Sequence, residues 1–239
     1  MDRGVSPQPA DFGNYRDAYP ALVARMGLYC SYCERHIQTG LAVEHIQPKG
    51  LKLPDGSEPY RHLEGCWTNF LIACINCNST KLDKDVDLTT ILLPDRDNTL
   101  MAFVYSADGK IAPVLGAPAS ATALIHLVGL SKDVRQTYDH NGELIALDRA
   151  SQRMETWDLA LRNRARWQRR PTTELKESIV ELAGKSGFFS IWMTVFSAES
   201  ELRREFIRAF KAAPDCFDPT TTAPVSPRPA NGLAHGGKI

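Results

Sequence analysis

The chain has 239 residues, of which 43% are hydrophobic and 23% charged, and its 28 basic and 28 acidic residues give a formal net charge of zero. This is the composition of a globular protein with one or two domains, and the overall charge gives no sign of nucleic-acid binding. No apolar run approaches the roughly 18 residues that span a membrane, and the N-terminal segment lacks the apolar core of a secretion signal. We therefore expect a cytoplasmic protein without membrane association.

The first third of the chain alternates short predicted elements with loops. A helix is predicted over 14–26, where apolar residues recur at helical spacing before Gly27. A short hairpin over 35–46 follows, with its turn at Thr39–Gly40. Proline, glycine and charged residues indicate a loop over 47–66. A short strand and a short helix are then expected over 67–82.

The remainder begins with a second hairpin and becomes helical. Alternating apolar residues around Asp108–Gly109 predict a hairpin over 99–114. Helices are predicted over 119–130, 149–169, 172–184 and 199–211, and the apolar segment 187–196 is predicted to be buried. The helix over 149–169 is expected to bury the face that carries Met154, Trp157, Leu161 and Ala165. Composition predicts a disordered tail within 214–239.

Four of the six cysteines form two C-x-x-C pairs, Cys30/Cys33 and Cys74/Cys77, with 40 residues between the pairs. In a cytoplasmic protein this spacing indicates metal binding rather than disulfides. Four thiolates can enclose one zinc ion in a closed tetrahedron, which serves stability because no coordination position is left for a substrate. The other two cysteines, Cys66 and Cys216, are interpreted as free thiols.

The segment between the cysteine pairs carries a second polar constellation. Glu44 and His45 end an apolar run and are followed by Ile46 and Pro48; Asn69 lies before the second pair, and Asn78 and Lys81 follow it. In this order, residues 29–81 strongly resemble the HNH nucleases, a branch of the ββα-metal (His-Me finger) endonucleases. The resemblance implies an α+β fold: a small ββα-metal domain with a zinc knuckle, then a β-hairpin and a mainly helical C-terminal region.

The resemblance also implies a role for each of these residues. His45 would be the general base that activates water, and Asn69 would brace the His45 loop by hydrogen bonds. Glu44 and Asn78 would hold one catalytic Mg²⁺ or Mn²⁺ through oxygen atoms. Lys81, one helical turn after Asn78, would contact a phosphate. The implied reaction is hydrolysis of DNA to 5′-phosphate and 3′-hydroxyl ends.

Two positions depart from the usual family pattern. Asn78 stands where histidine is common, and Glu44 stands where aspartate is common. An amide oxygen binds metal more weakly than an imidazole does, and the longer glutamate shifts the carboxylate. Neither change by itself predicts an inactive enzyme.

A basic segment lies outside the motif. Residues 149–170 contain seven arginines and two acidic residues, a local charge of +5. Arginine suits phosphate binding, so Arg162, Arg166, Arg169 and Arg170 are candidates for a nucleic-acid surface, with double-stranded DNA as the expected ligand. The alternatives are a solvated helix face or a docking surface for another protein.

The C-terminal region resembles, more loosely, HNH proteins of bacterial antiphage systems that work with an ATPase partner. The chain then divides into a helical lead-in (1–28), the HNH core with its zinc knuckle (29–90), a hairpin and helical region for substrate or partner docking (91–213) and the tail (214–239). Two alternatives to a DNA endonuclease stay open: a non-catalytic zinc module that binds nucleic acid or protein, and an HNH nuclease acting on RNA.

Overall fold

A computed structural model of the chain describes residues 1–131 and 149–239, and also the backbone of residues 137–138 and 144–146. Over this part of the chain the fold is mixed α and β, and each sheet is a pair of antiparallel strands, β1 with β2, β3 with β4 and β5 with β6. In chain order the helices and strands are α1 (Tyr19–Met26), β1 (Ala42–His45), β2 (Phe70–Ala73), α2 (Ile75–Lys81), β3 (Phe103–Tyr105), β4 (Ile111–Pro113), α3 (Ala119–Val128), β5 (Thr137–Tyr138), β6 (Leu144–Ala146), α4 (Arg149–Arg169), α5 (Thr173–Ser186), α6 (Phe189–Val195) and α7 (Ser200–Ala209). Over the same residues, every helix is too short or too polar to cross a membrane.

The first sheet differs from the hairpin that the sequence predicted over 35–46. β1 pairs with β2, which lies beyond a long loop, and His45 faces Phe70 across the sheet. The backbone of residues 28–37 is already engaged, because Cys30 N–H donates to the Arg35 carbonyl and Ile37 N–H donates to the Leu28 carbonyl. The residues of that segment thus pair with each other, and β1 pairs with the fully buried β2 instead.

The second predicted hairpin is confirmed as β3–β4. Its turn contains Gly109 at a φ of 74°, a conformation that favours glycine. A Cβ atom at this position would lie 2.3 Å from the Ala150 carbonyl oxygen, so the turn packs closely on the first turn of α4. The hairpin is thereby attached to the helical region.

The predicted helices are present, but α4 buries a different face from the expected one. Met154 and Leu161 are 38% and 42% exposed, whereas Arg153, Ala160 and Asn163 are buried. The polar side chains can be buried because they are hydrogen-bonded: Arg153, for example, donates to the Gly109 and Leu130 carbonyls. The spacing of apolar residues did not predict this buried face of α4, because hydrogen bonds rather than apolar contacts attach much of it to the rest of the protein.

The segment 214–239, for which the sequence predicted disorder, has defined partners. The Arg228 guanidinium donates to the Pro94 and Met1 carbonyls, and Asn231 donates to the Asp95 carbonyl. Residues 95–98 are buried and charged or polar, so their polar groups need partners that the tail supplies. Composition could not show this, because the partners lie more than 100 residues away.

The knuckle and the helical region share one hydrophobic core. The Glu34 carboxylate accepts hydrogen bonds from the Ser190 amide at 2.8 Å and the Ser190 hydroxyl at 2.6 Å. Gly187 allows this approach, because a Cβ atom there would lie 2.4 Å from the His36 amide nitrogen. The position of α6 is therefore fixed relative to the cysteine knuckle.

Candidate functional site

The four cysteines of the two C-x-x-C pairs come together in a buried cluster. The sulfur atoms of Cys30, Cys33, Cys74 and Cys77 all lie within 4.8 Å of one another, and those of Cys33 and Cys74 are 3.8 Å apart. A tetrahedral zinc ion with Zn–S bonds of about 2.3 Å places its sulfur ligands roughly 3.8 Å apart. The cluster can therefore hold a zinc ion, and the predicted pairing of the two cysteine motifs is confirmed.

Local structure places the two pairs on either side of β2. Cys30 and Cys33 lie in a tight turn whose Ser31 amide donates to the Ile72 carbonyl of β2 at 2.8 Å. Cys74 is the N-cap residue of α2, and Cys77 lies in the first turn of that helix. The zinc-binding cluster thus fixes where α2 begins relative to β1 and β2.

His45 lies at the last position of β1 and is 8% exposed. Its Nε2 is 2.9 Å from the Glu64 backbone carbonyl oxygen. A carbonyl only accepts hydrogen bonds, so Nε2 carries the proton and the lone pair of the neutral ring lies on Nδ1. Burial lowers the pKa of His45 below its ordinary value, and the ring is therefore neutral at pH 7.

The His45 ring is held on two further sides by aromatic contacts. The Phe70 and Tyr15 rings meet it edge to face, with centroid distances of 5.2 and 4.8 Å. Together with the Glu64 hydrogen bond, these contacts restrict both the tilt and the rotation of the imidazole. A fixed neutral imidazole is suited to accept a proton from water, and among the described residues the Nδ1 lone pair of His45 has no hydrogen-bond partner.

Glu44, the neighbour of His45, contacts a different set of groups. Its Oε1 lies 2.9 Å from the Lys81 ammonium and accepts a hydrogen bond of 3.3 Å from the Tyr32 hydroxyl. The Glu44 and Lys81 side chains are only 4% and 2% exposed. Burial raises the pKa of the Glu44 carboxyl, and Lys81 opposes part of that rise. Because successive strand residues point to opposite faces, the Glu44 carboxylate is directed away from the His45 contacts.

Lys81 and Asn78 lie on successive turns of α2. The Lys81 ammonium also donates to the His45 backbone carbonyl at 2.8 Å, so this buried side chain joins α2 to β1 rather than lying at the surface. Asn78 is half-buried. With a cation already on Glu44, the pair Glu44 and Asn78 does not fit a divalent ion as these residues lie.

Asn69 is buried immediately before β2. Its Oδ1 accepts from the Gln47 amide at 2.8 Å, and its Nδ2 donates to the Gln47 carbonyl at 2.9 Å. The Asn69 carbonyl also accepts from the Ile46 amide. These three bonds fix the chain directly after His45, which is the bracing geometry expected of Asn69 from the sequence; its part in catalysis stays a prediction.

Three residues beside His45 were missed at the level of sequence. The Lys49 ammonium pairs with the Glu64 carboxylate and lies 4.2 Å from the centre of the Tyr15 ring. Its side chain is 30% exposed, so Lys49 is a more accessible cation than Lys81. Lys49 directly follows Pro48 of the motif, which was the available signal, whereas no sequence spacing brings Tyr15 or Glu64 to His45.

The arginines of residues 149–170 differ in exposure. Arg162, Arg166, Arg169 and Arg170 are exposed, as expected of a binding surface. Arg149 and Arg153, by contrast, are buried and donate to backbone carbonyls. The surface of α4 is therefore less basic than the local charge of +5 suggested, and its exposed cations are concentrated in the C-terminal half of the helix.

The chain matches no protein-family model, and a comparison with curated proteins finds no match. The fold and the site define a mixed α/β protein with a buried four-cysteine cluster that can hold zinc. Beside that cluster lies an antiparallel strand pair followed directly by a helix, with a neutral histidine at the end of the first strand.

Proposed function

We propose that this protein is an endonuclease of the HNH type that hydrolyses DNA phosphodiester bonds with His45 as the general base. The observation that carries the proposal is the hydrogen bond between His45 Nε2 and the Glu64 carbonyl, at 2.9 Å. It leaves Nδ1 free to take a proton from water, on a residue held by a β–β–α unit beside the cysteine cluster. The motif over residues 29–81 gives this geometry its interpretation as a nuclease site.

In the proposed reaction, His45 Nδ1 accepts a proton from water as the water oxygen attacks the phosphorus atom. The bond between phosphorus and the 3′ oxygen breaks, and the leaving oxygen takes up a proton from solvent. The products are a 5′-phosphate and a 3′-hydroxyl. Asn69 contributes by holding the chain after His45 through its two bonds to Gln47.

The HNH resemblance also implies a catalytic Mg²⁺ or Mn²⁺ on Glu44 and Asn78. The buried ion pair between Glu44 and Lys81 opposes this assignment. A divalent ion at Glu44 would require the Lys81 ammonium to leave the carboxylate. Cleavage in EDTA compared with cleavage in Mg²⁺ or Mn²⁺ therefore tests the metal requirement separately from the role of His45.

The exposed arginines in and directly after the C-terminal half of α4, namely Arg162, Arg166, Arg169 and Arg170, are proposed to bind the DNA backbone. Each phosphate neutralised by a basic side chain increases the dependence of the binding affinity on salt concentration. Replacing all four with alanine is expected to reduce the salt dependence of duplex binding. If they serve instead to dock an ATPase partner, as the C-terminal resemblance to antiphage systems implies, the replacement leaves duplex binding unchanged and abolishes capture of that partner.

The direct test compares wild type with His45→Ala on plasmid DNA and on RNA. His62→Ala is a matched control, because His62 is an exposed histidine in the loop between β1 and β2. We expect His45→Ala to lose about 100-fold or more of the cleavage rate and His62→Ala to retain it. Cleavage of RNA but not of DNA would identify RNA as the substrate. A cleavage rate of His45→Ala equal to that of wild type would refute the mechanism.

A non-catalytic zinc module is the second candidate, and the buried Glu44–Lys81 pair favours it. The Lys81 ammonium lies beside Glu44 where the resemblance expects a metal ion, as in a structural ion pair. In this case wild type and His45→Ala bind a labelled duplex or a protein partner equally, and neither cleaves with any ion. The same set of assays therefore separates the two functions.

A further inference from the structure

The buried side chain of Arg149 connects the cysteine cluster to the helical region. Arg149 is the first residue of α4, and its Nη1 lies 3.1 Å from the Cys77 sulfur. The same guanidinium donates to the Val128 carbonyl at 2.9 Å and to the Gly129 carbonyl at 2.6 Å. One side chain thus joins a candidate zinc ligand to the C-terminal end of α3.

The negative charge between the cysteine cluster and the end of α3 favours a cation there. Four thiolates around one Zn²⁺ carry a net charge of about −2, and a buried charge is costly unless it is paired and hydrogen-bonded. The last carbonyls of a helix carry partial negative charge and lack partners within the helix. A guanidinium both balances the negative charge of the cluster and satisfies the helix-end carbonyls, because its planar array of donors can bind a sulfur and two carbonyl oxygens at once.

The end of α3 is arranged around these donors. Gly129 has a φ of 62° and a ψ of 45°, the left-handed conformation that ends many helices. The Leu127 carbonyl, directly before that of Val128, accepts from the Lys84 ammonium at 3.3 Å. Three consecutive carbonyls at the end of α3 therefore accept hydrogen bonds from side chains, and Arg149 alone donates to two of them while also contacting Cys77.

We propose that Arg149 is an outer-sphere residue of the zinc site. It binds the Cys77 thiolate and fixes the α3–α4 corner to the cluster, so that zinc loading and docking of the helical region stabilise each other. A hydrogen bond from a guanidinium to a zinc-bound thiolate is charge-assisted, so loss of zinc weakens this attachment. The proposal is independent of whether the protein is a nuclease.

The test measures zinc transfer from the zinc-loaded full-length protein to the coloured chelator 4-(2-pyridylazo)resorcinol. We expect Arg149→Met to release zinc at least about 10-fold faster than wild type, and Arg149→Lys to lie between them. Arg153→Met is the matched control, because Arg153 is buried one turn further along α4 but donates to the Gly109 and Leu130 carbonyls. It is expected to release zinc at nearly the wild-type rate.

A second readout distinguishes the proposal from a general loss of packing. With zinc still bound, Arg149→Lys should accelerate amide hydrogen exchange over 119–131 without accelerating it in the rest of the helical region. If Arg149→Met does not fold, the comparison of Arg149→Lys with Arg153→Lys decides. Equal zinc release from the Arg149 and Arg153 variants, or from Arg149→Met and wild type, overturns the proposal, as does a reconstituted protein that binds no zinc.

Discussion

The Lys81 ammonium lies 2.9 Å from the Glu44 carboxylate and 2.8 Å from the backbone carbonyl of His45. One buried side chain of α2 thus contacts both of the adjacent β1 residues that the sequence assigned to catalysis. The contact stabilises the main chain beneath His45, and it places a cation where the family pattern would place a metal ion. The same pair therefore bears on both stability and function.

We expect the Glu44–Lys81 pair to contribute strongly to folding. Breaking a buried ion pair by removing one partner leaves an uncompensated charge and costs about 3–5 kcal/mol. Glu44→Gln and Lys81→Met should each lower the free energy of unfolding, measured in urea, by about 3 kcal/mol. The double variant should lose less than the sum of the two.

The exposed pair Lys176–Glu201 is the control for this measurement. Its ammonium and carboxylate lie 2.8 Å apart, but the Glu201 side chain is 54% exposed. Glu201→Gln should change the free energy of unfolding by less than about 1 kcal/mol, because water screens the pair. Strictly additive effects of Glu44→Gln and Lys81→Met would contradict a direct stabilising interaction between the two side chains.

The lowered pKa of His45 predicts a pH dependence of stability. Burial disfavours the charged ring, so the unfolded chain binds a proton at a pH where the folded protein does not. Stability contributed by the neutral ring is present above the ordinary histidine pKa of about 6.5 and is lost as the pH falls below it. The free energy of unfolding of wild type should therefore fall relative to His45→Asn between about pH 7 and pH 5.

The same shift predicts where cleavage declines in acid. If His45 is the base, the rate should stay constant down to a pH below about 6.5, because the ring remains neutral there. A decline that begins above pH 7 would contradict this assignment. Identical pH dependences of unfolding for wild type and His45→Asn would contradict the lowered pKa itself.

Zinc removal is expected to destabilise the protein as a whole. The cluster joins the turn at Cys30 to the start of α2 and lies in the common core. Loss of the metal should therefore separate the turn from α2 and disrupt the packing of the core. Cys77→Ser should lose zinc and cooperative unfolding, whereas Cys66→Ser, outside the cluster, should keep both. Zinc content by mass spectrometry and thermal unfolding check this; a Cys77→Ser protein that is folded and free of zinc would contradict a structural role for the metal.

Lys49 is expected to contact a substrate phosphate, which rests on the proposed nuclease function. It is the partly exposed cation beside Tyr15 and Glu64, next to His45. Lys49→Met should weaken binding of a labelled duplex and reduce the slope of log Kd against log salt by about 0.9, one phosphate contact. Fluorescence anisotropy in EDTA measures binding without cleavage.

Lys52→Met is the control for Lys49, because the Lys52 side chain lies three residues further along the same loop and is 71% exposed. It should leave the salt dependence of binding nearly unchanged. The same loss from both variants would indicate a general effect of charge and would contradict a specific contact at Lys49.

The sequence by itself determined the elements with a local signal. Repeated apolar spacing predicted the helical region, Asp108–Gly109 predicted the β3–β4 turn, and the two C-x-x-C pairs predicted the cysteine cluster. Each of these signals depends on residues close in the chain or on a ligand geometry that few residue types satisfy.

Only the tertiary structure decided which partners the polar residues take. Glu44 pairs with Lys81 rather than lying open beside His45, Glu64 orients His45 from a distant loop, and Arg149 turns inward to Cys77. The sequence carries no local signal for these contacts. The reason is physical: a buried charge or hydrogen-bonding group needs a partner, and the fold brings that partner from residues remote in the chain.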